Sequence, residues 1–216
     1  MEQQRPAVTP MDLAVVTAIC FGLFILASID SLLQGTPVYS ITNDELGATI
    51  VTEIGLAVFA TGYLRVRGHP LGGLLPAPTL RGTLIGGGLF LLVLLLASAV
   101  QSLLALGLPA LRQVSDIVQV AASPLMIVAM SLVNGLYEEI FLLGFLQAAL
   151  TRAEPHFAVG AVLLLRLSYH LYQGLTGTAF AVVFGAVLGY YYLRTGKLWP
   201  AVAAHVVADI YALSAG

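Results

Sequence analysis

Charged side chains are scarce in this 216-residue chain, 9% of the whole against 59% hydrophobic residues, where a soluble globular domain carries roughly 25% charged residues. That deficit excludes a water-soluble domain, which could not cover so much apolar surface. Cysteine is nearly absent as well. Cys20 stands alone inside an apolar run, so neither a disulfide framework nor a thiolate metal cluster is available. No run of Lys or Arg occurs and the formal net charge is −2, which leaves no cationic face for nucleic acid. Also missing are G-x-S-x-G, a cysteine near a histidine, and H-E-x-x-H, the usual signatures of serine, cysteine and zincin chemistry.

What the chain has in quantity is long apolar runs. Bounded by Pro, Gly and charge, they fall at 11–33, 46–64, 82–106, 123–150, 157–173, 176–194 and 199–214. An α-helix of about 20 residues crosses a bilayer core, so the pattern predicts an all-α, polytopic transmembrane helical bundle of about seven spans. The fourth run is too long for one perpendicular crossing, and either tilts or begins with an interfacial stretch before Pro124. Residues 1–10 read as a polar lead; no small-residue cleavage site follows it, so the run 11–33 is expected to be retained. Residues 11–122 carry the N-terminal spans and 123–216 the polar motifs.

Sidedness follows from the basic residues. With the N-terminus inside, Arg5, Arg65, Arg67, Arg81, Arg152, Arg194 and Lys197 fall on the cytoplasmic side, Arg112 alone outside, and Arg166 within a span. The positive-inside rule therefore favours N-terminus in and C-terminus out. Gly185 and Gly189, and Gly82, Gly86, Gly87 and Gly88, are expected to let helices approach closely. Trp199 with Tyr190, Tyr191 and Tyr192 reads as an interfacial anchor. His69 and His156 adjoin Pro70 and Pro155 in predicted loops and are expected to be solvated.

An ionisable residue at the bilayer centre costs about 2.5–3.5 kcal/mol on the insertion scale, so those inside the runs need a reason. Asn134 and Glu138, Arg166 and His170, and His205 and Asp209 are three i, i+4 pairs on three different runs, each a polar stripe on one helix face. The low-cost arrangement points all three inward at one cavity. Glu138 and Glu139 are neighbours diverging by about 100° around a helix and are not expected to address the same point; Glu138 goes with Asn134 to the cavity, Glu139 to a partner on an adjacent helix. Glu53, in the second run, has no polar partner at i+4 and is given no role. The chemical reading is that Glu138 takes a proton from water, His170 positions that water, and His205 with Asp209 stabilises an oxyanion. That is hydrolysis without a covalent intermediate.

These residues resemble the CPBP intramembrane proteases, related to the CAAX prenyl proteases and to bacteriocin-immunity proteins. The stretch Asn134-Gly135-Leu136-Tyr137-Glu138-Glu139-Ile140-Phe141-Leu142-Leu143-Gly144-Phe145 looks like that family's Glu-Glu-x-x-x-Arg motif followed by glycine. Ser168-Tyr169-His170-Leu171 resembles its His-bearing motif, and His205-Val206-Val207-Ala208-Asp209 its third, a His with Asn or Asp four residues on. The resemblance covers roughly 123–210 and implies Glu138 as the water-activating glutamate, Glu139 as its support, and His170 and His205 as water-positioning and oxyanion groups. It further implies a multi-pass protein of a prokaryotic cytoplasmic membrane acting on a membrane protein or lipidated peptide, with no cofactor. Leu143 stands where the pattern has Arg, and Arg166 where it usually has Phe; Arg166 is expected to supply the missing guanidinium to Glu139. Asp209 stands in the Asn-or-Asp position, where an ionised carboxylate would repel an oxyanion, so it is expected either to be protonated or to act by orienting His205.

Two other readings use the same residues. One gives Glu138, His170 and His205 a divalent metal such as zinc; the other is a binding or immunity scaffold without catalysis, for which Leu143 speaks. A proton-coupled transporter would want a duplicated pair of broken helices, and no internal repeat is visible.

Overall fold

The structure is a computed structural model that describes residues 7–34, 39–107, 118–152 and 154–214. Among these, seven helices carry the bundle: α1 (Pro10–Gln34), α2 (Asn43–Val66), α3 (Leu80–Gly107), α4 (Pro124–Leu150), α5 (Pro155–His170), α6 (Gly174–Thr195) and α7 (Trp199–Ser214). Each coincides with one predicted apolar run. Five stretches are long and apolar enough to cross a membrane. The fifth, Pro155–Thr195, is 41 residues long and contains both α5 and α6, broken by a 3-10 turn at Leu171–Gln173 and by Gly174 at φ 68°, a backbone angle that glycine adopts without strain. The 16 residues of α7 are shorter than a full span of about 20. Arg5 and Arg112, on which part of the sidedness argument rests, lie outside the described residues.

The helix starts have local causes. Thr42 and Glu45 form a reciprocal capping box on α2, and Ser123 caps α4 with Pro124 in its first turn, where a missing N–H is harmless. The helix proper therefore begins at Pro124. Just before it, Val118–Ala121 (β2) pairs in parallel with Tyr39–Thr42 (β1), Thr42 opposite Ala121. The sequence reading had no strands; four residues are too few to show a period, and a parallel pair needs a long crossover, here α2 and α3.

The core lies around α4. Half of its apolar window is buried, against 17% for α2 and α3, whose leucines and valines point outward to where lipid belongs. α4 packs on α2 and α7, α3 on α7, α5 on α6 and α1 on α5. Glycine sets the α3–α7 distance. A Cβ on Gly86 would lie 2.7 Å from the Pro200 carbonyl oxygen and 2.9 Å from the Ala204 nitrogen of α7, while Gly87 and Gly88 face open space; only Gly82 and Gly86 of that glycine group serve packing. Gly86→Ala is expected to destabilise the fold by about 1–3 kcal/mol through overpacking against rigid backbone. Gly87→Ala is expected to leave stability unchanged, and reversible unfolding in mild detergent checks both.

His69 is not solvated. Its side chain is 8% exposed and Nε2 lies 3.3 Å from Asp12 Oδ2. Asp12, fully buried near the start of α1, also accepts from Thr9 N (2.9 Å), Thr9 Oγ1 (2.7 Å), Tyr63 Oη (2.9 Å) and Arg67 Nε (2.9 Å). A buried carboxylate needs such donors, and they tie the first turn of α1 to the last of α2. His156 is exposed as expected.

Candidate active site

α4 presents Asn134, Glu138 and Glu139 to the bundle interior, and immediately after Glu139 the helix widens into a π-helical segment, Ile140–Gln147. Such segments are rare and occur often at functional sites. From α5 comes Arg166, 1% exposed. Its Nη2 donates to Glu139 Oε1 at 2.6 Å and its Nη1 lies 3.6 Å from Glu138 Oε2. From α7 comes His205, whose Nδ1 donates to the same Glu139 Oε1 at 2.6 Å. On the other side of that ring, Nε2 is 3.3 Å from Asn134 Nδ2 and 3.6 Å from Asp209 Oδ1. Asn134 Nδ2 also donates to Asp209 Oδ2 at 2.8 Å. The polar groups thus form one connected chain from Asp209 through His205, Glu139 and Arg166 to Glu138.

The two glutamates meet at the same centre, contrary to the divergence expected of neighbours. Ligating atoms of Glu138, Glu139 and His205 all lie within 4.8 Å of one another. The reason is the guanidinium: its planar fork spans the gap between side chains that leave the helix in different directions. His170 is not one of these three. It sits where α5 passes into the 3-10 turn, with its ring 4.6 Å from that of Tyr169 and a buried Nδ1 that has no hydrogen-bond partner among the described residues.

Several further residues support the centre. Tyr169 donates to Glu138 Oε2 at 2.6 Å; it lies three residues after Arg166, and that i, i+3 neighbourhood was the available hint. Phe184 of α6 packs on both Arg166, 5.1 Å from guanidinium carbon to ring centroid, and His205, 5.1 Å between rings edge to face. Gly185 leaves room for them: a Cβ there would meet Leu163 Cδ1 at 2.8 Å and Arg166 Cδ at 3.1 Å. Gly189 lies against Gln147, whose buried amide donates to the Gly189 carbonyl at 2.8 Å. Leu143 is 1% exposed among apolar neighbours, so the guanidinium that reaches Glu139 comes from α5.

Glu139 Oε1 already accepts from a guanidinium and from His205 Nδ1–H, which takes that oxygen and that nitrogen out of any ligand set; Glu138 and His205 Nε2 remain as possible donors to a divalent ion. An added cation would also sit beside the fixed Arg166.

Residues 120–211 match the family model described as Rce1-like, type II CAAX prenyl endopeptidase Rce1-like. No curated protein and no solved structure matches the chain. The matched stretch spans β2 to α7 and holds Asn134, Glu138, Glu139, Arg166, Tyr169, His170, His205 and Asp209. Residues 120–211 are thus similar to a family of CAAX prenyl endopeptidases, and the likeness takes in every polar residue of the centre described above.

Proposed function

We propose that the protein is an intramembrane endopeptidase that hydrolyses a peptide bond of a membrane-associated substrate with a water activated by Glu138. The observation that carries this reading is the unequal treatment of the two glutamates. Glu139 Oε1 is held by Arg166 and His205 at 2.6 Å each, which makes it a support. Glu138 has one strong donor, Tyr169 Oη on Oε2, and the guanidinium only at 3.6 Å. Glu139 Oε2 has no hydrogen-bond partner among the described residues but is wholly buried, whereas Glu138 is 6% exposed and is the carboxylate better placed to meet a water.

In the proposed reaction Glu138 takes a proton from water as the water oxygen bonds to the carbonyl carbon. His170 Nδ1 helps hold that water. The negative charge gathering on the carbonyl oxygen is met from the His205 Nε2 side, where Asn134 supplies a second N–H and ties Asp209 back by hydrogen bonding. Collapse breaks the C–N bond, and the proton held by Glu138 passes to the leaving amine. Seven crossings, with the N-terminus inside and the C-terminus outside, complete this reading and rest on the distribution of basic residues.

Single-turnover cleavage of a membrane peptide in 18O-labelled water tests it. One labelled oxygen in the new carboxylate is expected, with no acyl-enzyme trapped by hydroxylamine; unlabelled product would mean oxygen transfer from a side-chain carboxylate through an anhydride, a trapped acyl-enzyme would mean attack by a side-chain nucleophile, and either overturns the mechanism. Exhaustive chelation is expected to leave the rate unchanged, and loss restored by zinc would favour the metal reading instead.

A further inference from the structure

Glu53 is the carboxylate that this mechanism leaves unused. It lies in α2, 3% exposed, and its Oε2 is buried with no hydrogen-bond partner among the described residues. An unpaired carboxylate inside a membrane bundle is costly and calls for a partner. Its position follows from the strand pair. Ser123 N, at the cap of α4, donates to Asn43 Oδ1 at the first residue of α2 at 2.8 Å, so the two packed helices start level. Ten residues further, about 15 Å along α2, is Glu53; eleven residues past Ser123, about 16 Å along α4, is Asn134. Glu53 thus stands level with Asn134 and about one turn to the strand side of Glu138. The site groups with which its carboxylate interacts electrostatically are Glu138, Asp209 and His205.

Carboxyl groups outnumber their basic partners at this end: Glu53, Glu138, Glu139 and Asp209 stand near one guanidinium and the imidazole of His205. Arg166 is committed to Glu138 and Glu139, and His205 lies between Glu139 and Asp209. Glu53 has neither. A neutral amide would fill one hydrogen bond; a cationic side chain can donate to several of these carboxyl oxygens at once. The most accessible member of the group is Asp209, whose side chain is 23% exposed while those of Glu138, Glu139, Arg166 and His205 are at most 8% exposed.

We infer that Glu53, with Asp209 and Glu138, forms a subsite for a positively charged substrate side chain, a lysine ammonium or arginine guanidinium. One helical turn, about 5.4 Å, separates Glu53 from Glu138 in depth, and an extended chain advances about 3.3 Å per residue, so the cationic residue lies one or two positions from the bond that is cut. This assignment rests on the peptidase reading for which bond is cut, but the binding pocket is testable by itself.

The full chain in phosphatidylcholine nanodiscs is presented with a fluorescent apolar peptide and a set in which one lysine is moved along it, each lysine paired with a norleucine control. Anisotropy at 4 °C reads binding and mass spectrometry reads cleavage. The best lysine peptide is expected to bind about 30-fold more tightly than its norleucine control, and Glu53→Gln to reduce that ratio to about 3-fold or less. Norleucine binding as well as lysine everywhere, or a ratio unchanged in Glu53→Gln, overturns the subsite. Glu53→Leu serves as a second variant. It is expected to lose the same preference without losing thermal stability, whereas a merely structural carboxyl would lose stability and leave the preference intact. Glu53-dependent lysine preference without cleavage retains the subsite and refutes the peptidase; cleavage without that preference does the reverse.

Discussion

Glu138→Gln is expected to slow peptide-bond cleavage by about 10²- to 10⁴-fold, the range a positioned general base contributes, while leaving the fold intact. Glutamine keeps the shape of the side chain and an oxygen that can still accept from Tyr169 Oη, the contact at 2.6 Å in the parent. What it loses is the capacity to take a proton from water. Single-turnover rates in the same nanodiscs, together with thermal unfolding, separate the two effects: the rate falls and the unfolding transition does not move. A Glu138→Gln protein that cleaves at the parent rate would remove Glu138 from the chemistry. One that complements a deletion as well as the parent without any cleavage would favour a binding or immunity scaffold.

Arg166→Leu should have the largest effect on stability of any single change at the centre. The guanidinium is 1% exposed and holds Glu139, itself fully buried, at 2.6 Å. Removing one partner of a buried ion pair leaves an uncompensated charge and costs about 3–5 kcal/mol. Adding Glu139→Gln to Arg166→Leu is expected to recover part of that loss, because the stranded charge goes with it. Arg166→Lys is not expected to rescue, since a point ammonium cannot reach two carboxylates as a planar fork does. Denaturant unfolding in mixed micelles reads all three variants. Equal midpoints for Arg166→Leu and the parent would mean that the pair contributes nothing to folding.

The helices were legible because each is an apolar run closed by Pro, Gly or charge, as Pro124 and Gly196 do for α4 and α6, even where, as in α5 and α7, the helix has only 16 residues. The pairing of Arg166 with Glu139 was legible for a related reason: in a medium that penalises unpaired charge, the one intramembrane arginine had few partners to choose from. Their roles in chemistry remain a proposal. The meeting of Glu138 and Glu139 was not legible, since helical geometry separates neighbours and only the position of a side chain from another helix brings them together. Nothing in the composition of Ile140–Gln147 marks it as π-helical, because the wider turn arises from how the segment is packed. Glu53 had no partner at i+4 and so no visible role. Its relation to Asn134 depends on a four-residue strand pair linking segments 79 positions apart in register, which no local pattern announces. His69 was misjudged for a similar reason, its partner Asp12 lying on a different helix.

The glycine seam of α7 bears on how the protein can flex. On one side Gly86 meets the backbone at Pro200 and Ala204; on the other, a Cβ on Gly135 would stand 3.3 Å from the Val206 nitrogen and 3.4 Å from His205 Cβ. Packed helices slide by letting side chains change rotamer, and at backbone-to-backbone contacts there is little to rearrange. The seam therefore makes α3, α4 and α7 one stiff block. Glu139 of α4 and His205 of α7 lie on the two helices that Gly135 holds close, so their 2.6 Å contact is set by backbone packing rather than by side-chain rotamers alone.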